Sequence, residues 1–225
     1  MFDMRSYDQY CGLARALDVV GDRWTLLIVR ELLIGGACRY TDLQHGLPGI
    51  ATNLLADRLR QLEEQGVITR EAAPPPVATT LFHLTPRGEE LWPVLRALGR
   101  WGAPLLAELP DDAEFRSHWL VLPLRIHLAD HVPDGPPVTI EVRTGDQPVT
   151  VEAAGGEVRI HAGAAVAPDV TVTGAPPVVA SLLFGELDLD TAVERGAVVD
   201  GDPAALARVQ PKVVSSNSRC CPGPG

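Results

Sequence analysis

Along residues 50–66, IATNLLADRLRQLEEQG, the apolar positions Leu55, Leu59 and Leu62 recur at i, i+4 and i+7, and Leu54 widens the stripe. That period predicts an amphipathic helix with one buried face. The opposite face carries Thr52, Asn53, Asp57, Arg58, Arg60 and Gln61, and Gly66 supplies the stop. Upstream, CGLARALDVV (11–20) predicts a short helix with Leu13, Leu17 and Val20 on one side. Asp22 is placed to cap a second helix, RWTLLIVRELLIGG, which is apolar almost all round and therefore central. Arg39-Tyr40-Thr41-Asp42-Leu43 opens a third, capped by Thr41 or Asp42 and ending near Gly46, and Leu47-Pro48-Gly49 is a tight turn. A short helix, a brief turn and a longer helix make a helix-turn-helix.

After Gly66 the pattern changes period. VITRE alternates and is β-branched, AAPPPVATT can continue neither helix nor sheet, and LFHLT is a second short strand, so a β-wing follows the helix at 50–66. Thr85 and Pro86 start a long helix with Leu91, Leu95, Leu98, Trp101 and Leu105 along one stripe. That helix follows the wing, outside the three-helix core, which predicts packing against a second subunit, with packing on the first domain's own core as the alternative.

Pro110-Asp111-Asp112 is a short polar link. Residues 114–131, EFRSHWLVLPLRIHLADH, read as an apolar helix kinked by Pro123. VTIEVRTG, PVTVEAAGG, EVRIHAGA and PDVTVTG alternate between Gly, Asp and Pro breaks, as antiparallel strands do. APPVVASLLFGELDLDTAVERG is helical with a break near Gly185, with Asp188 and Asp190 read as caps; AVVDG is a last strand; DPAALARVQPKVV is a last helix capped by Asp202. The whole is α+β: a winged helix-turn-helix domain over 1–109, a small antiparallel sheet with helices on one face over 110–212, and a disordered tail over 213–225.

The net charge of −10 argues against nucleic acid until the chain is split. Residues 1–107 hold 11 arginines against 12 acids, whereas 108–225 hold 8 bases against 17 acids. The acidity belongs to the second half, and DNA binding in the first would rest on local placement of arginines. The opening turn of the 50–66 helix, with free backbone N–H groups and a positive dipole end, carries short polar side chains suited to base edges. The DNA-binding candidates are Arg39, Tyr40, Thr52, Asn53, Arg58 and Arg70, with Asn53 as the base reader because an amide pairs bidentately with adenine.

At these residues the first half resembles the HxlR branch of the MarR-like winged-helix regulators: CGLARALDVVGDRWTLLIVRELLIGG, RYTDLQHGLPGI, LLADRLRQLEEQGVITRE and LFHLTPRGEEL come in order at family spacing over about 8–107. The resemblance implies a cytoplasmic homodimer, joined through the first helix and residues 86–107, whose recognition helix (51–65) enters the major groove of double-stranded DNA while the wing touches the minor groove or backbone. Two departures stand out: residues 72–80 carry no basic residue, and Ala51-Thr52-Asn53 replaces the family's usual Lys near the helix start. The resemblance also makes Cys11 a possible redox sensor, against the plainer reading of an inert thiol, and puts Cys38 where the family often has a base, expected to be mildly exposed. The second half resembles the sterol carrier protein type lipid-binding domain, carried by PDVTVTGAPPVVASLLFGELDLDTAVERGAVVDGDPAALARV. That implies an apolar tunnel for a lipid-like or hydrophobic small molecule. Candidate lining residues, by apolar type alone, are Trp119, Leu122, Ile126, Val179, Leu182, Leu183 and Phe184.

No phosphate loop, G-x-S-x-G or H-E-x-x-H is present, and His127 and His131, i and i+4 on the expected helix, lack a completing ligand set. The reading is therefore of no enzyme, no cofactor and no metal. With no membrane-length apolar run and no signal peptide, the expected location is the cytoplasm. The expectation is a ligand-responsive transcription regulator, with the link between domains in residues 86–115. The alternative is a hydrophobic-ligand binding or sequestering protein with a degenerate DNA-binding domain.

Overall fold

The computed structural model of the protein describes residues 6–73, 79–110 and 113–211. The tail expected over 213–225, and the tip of the expected wing at 74–78, lie outside these. The first domain contains α1 (Gly12–Val20), α2 (Thr25–Gly35), β1 (Cys38–Arg39), α3 (Tyr40–Gly46), α4 (Thr52–Glu64), β2 (Ile68–Ala72), β3 (Thr80–Leu84), α5 (Pro86–Glu89) and α6 (Trp92–Gly102). Leu55, Leu59 and Leu62 of α4 are buried against Ile28 and Leu32 of α2 and Leu43 of α3, as the period requires. Gly66 follows α4 at φ 67°, a left-handed conformation that glycine adopts without a Cβ clash. The wing strands β2 and β3 pair antiparallel with Ile68 opposite Leu84, and β1 adds to the far edge of β3. Two residues are too few for a period-2 signal, so β1 was not predicted.

Several local expectations are corrected. Asp22 does not cap α2. Trp24 sits at the N-cap with φ 80°, and the Asp22 carboxylate pairs with Arg58 of α4 instead. Arg39, rather than Thr41 or Asp42, holds the N-cap of α3, and its N–H donates to the Asp42 carboxylate at 2.8 Å. The long helix expected from Pro86 is two helices. Pro93 has no N–H to continue the ladder from α5, so the chain restarts as α6 and ends in a 3₁₀ stretch, Ala103–Glu108. Thr85 caps α5 as expected, its Oγ1 accepting from the Gly88 N–H at 3.2 Å.

The single helix expected over 114–131 is also divided. A 3₁₀ turn, Ser117–Leu120, leads into α7 (Val121–His127) and then β4 (Leu128–Asp130). Pro123 falls in the first turn of α7, where its N–H is not needed, so it opens the helix rather than kinking it. His127 ends α7 and His131 lies beyond β4, so the two do not share a helix face. Among the described residues no group of three or more metal-capable side chains gathers.

The strands β5 (Val138–Thr144), β6 (Gln147–Ala154), β7 (Glu157–Ala162), β8 (Val170–Thr173) and, after α8 (Pro176–Leu183) and α9 (Leu189–Glu194), β9 (Val198–Gly201) form one sheet in the order β7-β6-β5-β8-β9. Three pairings are antiparallel, but β5 and β8 are parallel, which corrects the wholly antiparallel expectation. The chain leaves β7 at one edge and returns to the far side of β5, which sets β8 in the same direction as β5. The sheet's inner face, including Ile140, Val142, Val149 and Val151, packs on Val179 and Leu183 of α8 and on Leu124 of α7. The chain closes with α10 (Ala204–Arg208) and β10 (Val209–Pro211), the latter paired with β4 where a helix end was expected. Arg208 and Asp130 form an ion pair shielded from solvent, Nε to Oδ1 at 2.8 Å. No helix among the described residues is long and apolar enough to cross a membrane.

Candidate nucleic-acid interface and ligand module

The opening turn of α4 faces outward. Ala51, Thr52 and Asn53 are exposed, while the Leu55–Leu59–Leu62 stripe anchors the helix behind them. No side chain caps the helix start, so the first backbone N–H groups stay available to a ligand. Tyr40 is half-buried and its hydroxyl donates to the Thr52 carbonyl at 2.7 Å, so it acts as a strut between α3 and α4. Arg39 is exposed at the start of α3.

The cations behind that turn are already engaged. Arg58 is mostly covered, pairs with Asp22 and donates to Gln61 Oε1 at 2.5 Å. Arg60 pairs with Asp57 at 2.7 Å, and Arg70 at the wing base pairs with Glu63 at 3.1 Å. Arg58 and Arg70 are DNA-binding candidates from the sequence. The structure gives each a carboxylate partner from another element, which spacing along one helix cannot reveal. Thr52, Asn53 and Arg39 thus form the accessible and unpaired part of the predicted set, while Arg70 is exposed but paired.

A second outward feature is apolar. Leu13 and Leu17 of α1 and Val94, Leu98 and Trp101 of α6 are exposed, so the stripe predicted for residues 86–107 covers its own domain only through Leu95 and, in part, Leu91. These positions match the first helix and 86–107 segment singled out as a self-association face.

In the second domain the predicted lining residues divide. Val179 and Leu183 are buried in the core between sheet and helices, and Leu182 and Phe184 pack against it. Phe184 also meets the His127 ring, with centroids 5.0 Å apart. Trp119 points elsewhere, its indole N–H donating to Glu31 of α2 at 3.2 Å. Leu122 and Ile126 are buried but lie outside that core; a Cβ on Gly99 of α6 would lie 4.0 Å from Ile126 Cδ1. One face of α7 therefore serves the second core and the other serves the junction with the first domain. Residues 86–115 are accordingly not the whole link, because α2 also crosses it. Arg125 of α7 donates to the Leu33 carbonyl at 3.1 Å and to the Ile160 carbonyl at 2.9 Å.

Cys11 is exposed at the N-cap of α1. Cys38 is buried, not mildly exposed, and burial, with Asp42 and Glu31 nearby, pushes its thiol up to about 11. A thiol held protonated in this way is a poor nucleophile.

Residues 19–109 match the profile of the HxlR-like helix-turn-helix family, and residues 134–211 match that of the SCP-2 sterol transfer family. An uncharacterized HTH-type transcriptional regulator of Synechocystis is 37% identical over 98 residues, covering 44% of this chain and 72% of its own. The HTH-type regulator YvaP of Bacillus subtilis is 33% identical over 87 residues, covering 39% and 80%. The solved structure of reduced YodB, a B. subtilis transcriptional regulator, aligns with 42% of this chain and 92% of its own at 27% identity and a TM-score of 0.38. These curated relatives are transcriptional regulators rather than enzymes. The chain belongs to the HxlR-like helix-turn-helix family of transcription regulators and carries a sterol-carrier-type domain after its winged helix.

Proposed function

We propose that this protein is a ligand-responsive transcription regulator of the cytoplasm, which binds operator DNA as a homodimer and senses a hydrophobic small molecule in its C-terminal domain. The observation that carries this reading is the outward opening turn of α4, with Thr52 and Asn53 exposed and the helix start uncapped, together with exposed Arg39 at the N-cap of α3. Asn53 reads a base edge; Thr52, Arg39 and the free N–H groups hold the backbone. The exposed stripes of α1 and α6 supply the dimer face, so that two α4 helices meet two half-sites. In the second domain Val179, Leu182, Leu183 and Phe184 are the contacts for an apolar ligand, and Trp119, Leu122 and Ile126 act at the junction instead. A ligand changes DNA affinity only by its differential affinity for two arrangements of the domains.

One observation favours a second reading, in which the protein binds a hydrophobic ligand and no longer grips DNA. Arg58, Arg60 and Arg70 each have a carboxylate partner that a phosphate would have to displace, beside a predicted wing whose sequence carries no basic residue. Gel shift with a duplex from the protein's own upstream region, run beside titration with a fluorescent long-chain fatty acid, separates the two. Sequence-preferring DNA retention supports the regulator. Ligand binding without DNA retention at low salt supports sequestration.

A further inference from the structure

Glu31 is an acid buried in the middle of an apolar helix, and two of its partners come from a segment 87 and 88 residues further on. One carboxylate oxygen, Oε1, accepts from Arg30 at 2.6 and 2.9 Å and from the Trp119 indole N–H at 3.2 Å. The other, Oε2, lies 2.7 Å from His118 Nε2. The Arg30 guanidinium stacks over the Trp119 ring, 4.6 Å from its centroid. One donor residue is thus on α2, and two are on the 3₁₀ turn that opens the ligand domain. On its remaining side Oε2 faces Gly46, where a Cβ would fall 2.1 Å from it and would displace the carboxylate, and the paired Arg30 guanidinium donates to the Gly46 carbonyl at 3.4 Å. Gly46 ends α3, immediately before the Leu47-Pro48-Gly49 turn into α4.

The 3₁₀ turn is in its turn fastened to the sheet. The Ser117 hydroxyl donates to the Thr144 carbonyl, the Ser117 N–H donates to Asp146 at 2.9 Å, and the Gln147 N–H donates to Ser117 Oγ at 3.2 Å. Thr144 ends β5 and Gln147 begins β6, the two strands whose inward valines and isoleucine form the second core. His45 of α3 lies 3.8 Å from Asp146, a second contact across the same gap.

We infer that Glu31 is a positioning residue for DNA reading: its carboxylate, held by His118 and Trp119, sets the end of α3 and the turn before α4, so that a shift of the β5–β6 hairpin reaches the reading helix. The inference rests on α4 as the reader and the second domain as the sensor. A buried carboxylate cannot exchange its donors for water, so movement of the 3₁₀ turn either carries Glu31 with it or breaks these bonds. Arg30, bonded both to Glu31 and to the Gly46 carbonyl, passes either event to the end of α3.

Hydrogen exchange on the full chain tests this. In the double variant His118→Leu, Trp119→Phe, amides over 44–52 are expected to exchange at least about tenfold faster, while the β5, β6 and β8 amides keep their protection. His118→Gln, which keeps an N–H donor, is expected to restore slow exchange over 44–52. By reciprocity, duplex DNA from the upstream region slows exchange over 117–120 in the wild type and not in Glu31→Gln. Unchanged exchange over 44–52 in the double variant, or a His118→Gln variant as loose as the double variant, overturns the inference. Loosening over 44–52 together with no DNA effect in the wild type supports the positioning role and counts against DNA reading itself.

Discussion

Two contacts to a carboxylate, one on the surface of the first domain and one at its junction with the second, show how differently such groups are used. On the outer surface of α4, Arg60 and Asp57 meet at 2.7 Å with side chains 50% and 44% exposed. At the junction, Glu31 and His118 meet at the same distance with exposures of 6% and 10%. An exposed pair is worth roughly 0–1 kcal/mol and is screened by salt, so its partners are free to trade each other for a phosphate. A buried pair is weak evidence of added stability, yet removing one partner leaves a charge stranded and costs about 3–5 kcal/mol. The outer surface of α4, the proposed DNA face, is therefore built to exchange partners, and the junction is built to keep them.

The largest expected effect breaks the second half of that comparison. Glu31→Ala strands the half-buried Arg30 and removes the acceptor of His118 and Trp119, and is expected to destabilise the protein by about 3 kcal/mol, read by urea denaturation. A change under about 0.5 kcal/mol would mean the junction behaves as a surface.

Next comes the pH response of the ligand domain. The Arg208 hydrogen bonds hold the Asp130 carboxyl well below its ordinary 3.8. A depressed folded-state pKa stabilises above the unfolded value and is lost as pH falls through that region. The second domain is therefore expected to lose stability below about pH 4, and Asp130→Asn to flatten that loss, in thermal melts across pH 2–6.

On the DNA side, Asn53→Ala is expected to cost about 1–3 kcal/mol of discrimination between the preferred and a random duplex. Arg39→Ala is expected to weaken both duplexes alike and lower the salt slope by about 0.9. Equal loss across all sequences for both variants would erase the division between base reading and backbone holding. The smallest effect is at Asp57→Ala, which removes a negative charge from the outer face of α4: stability shifts by less than about 0.5 kcal/mol, while DNA binding strengthens a few-fold at low salt.

The stripe of Leu55, Leu59 and Leu62, the wing strands and the alternation of β5 to β8 were legible in the chain because burial on one face imposes a period. So were the caps at Thr85 and Asp188, where a side chain bonds a backbone group three residues on. What periodicity cannot carry is partnership between distant segments. Asp22 was placed as a cap because it precedes a helix, but it serves Arg58 across the helix pair. Trp119 was placed with the ligand contacts because it is aromatic beside an apolar run, yet its indole N–H is spent on Glu31. The sequence also placed the link between domains at 86–115 by continuity of chain, whereas α2 meets the second domain through Glu31, Leu33 and Ile34. Pro93 is a signal the sequence does carry: a proline seven residues after Pro86 divides a helix rather than riding in it.

The most direct test of the central claim, that α4 reads DNA, is fluorescence anisotropy of the full chain with a duplex from its own upstream region and a random duplex, across a salt series. The account predicts tighter binding to the upstream duplex at every salt, with log affinity falling linearly in log salt at a shallow slope set by a few phosphate contacts. Equal affinity for both duplexes, or no binding at the lowest salt by a folded protein, would contradict it.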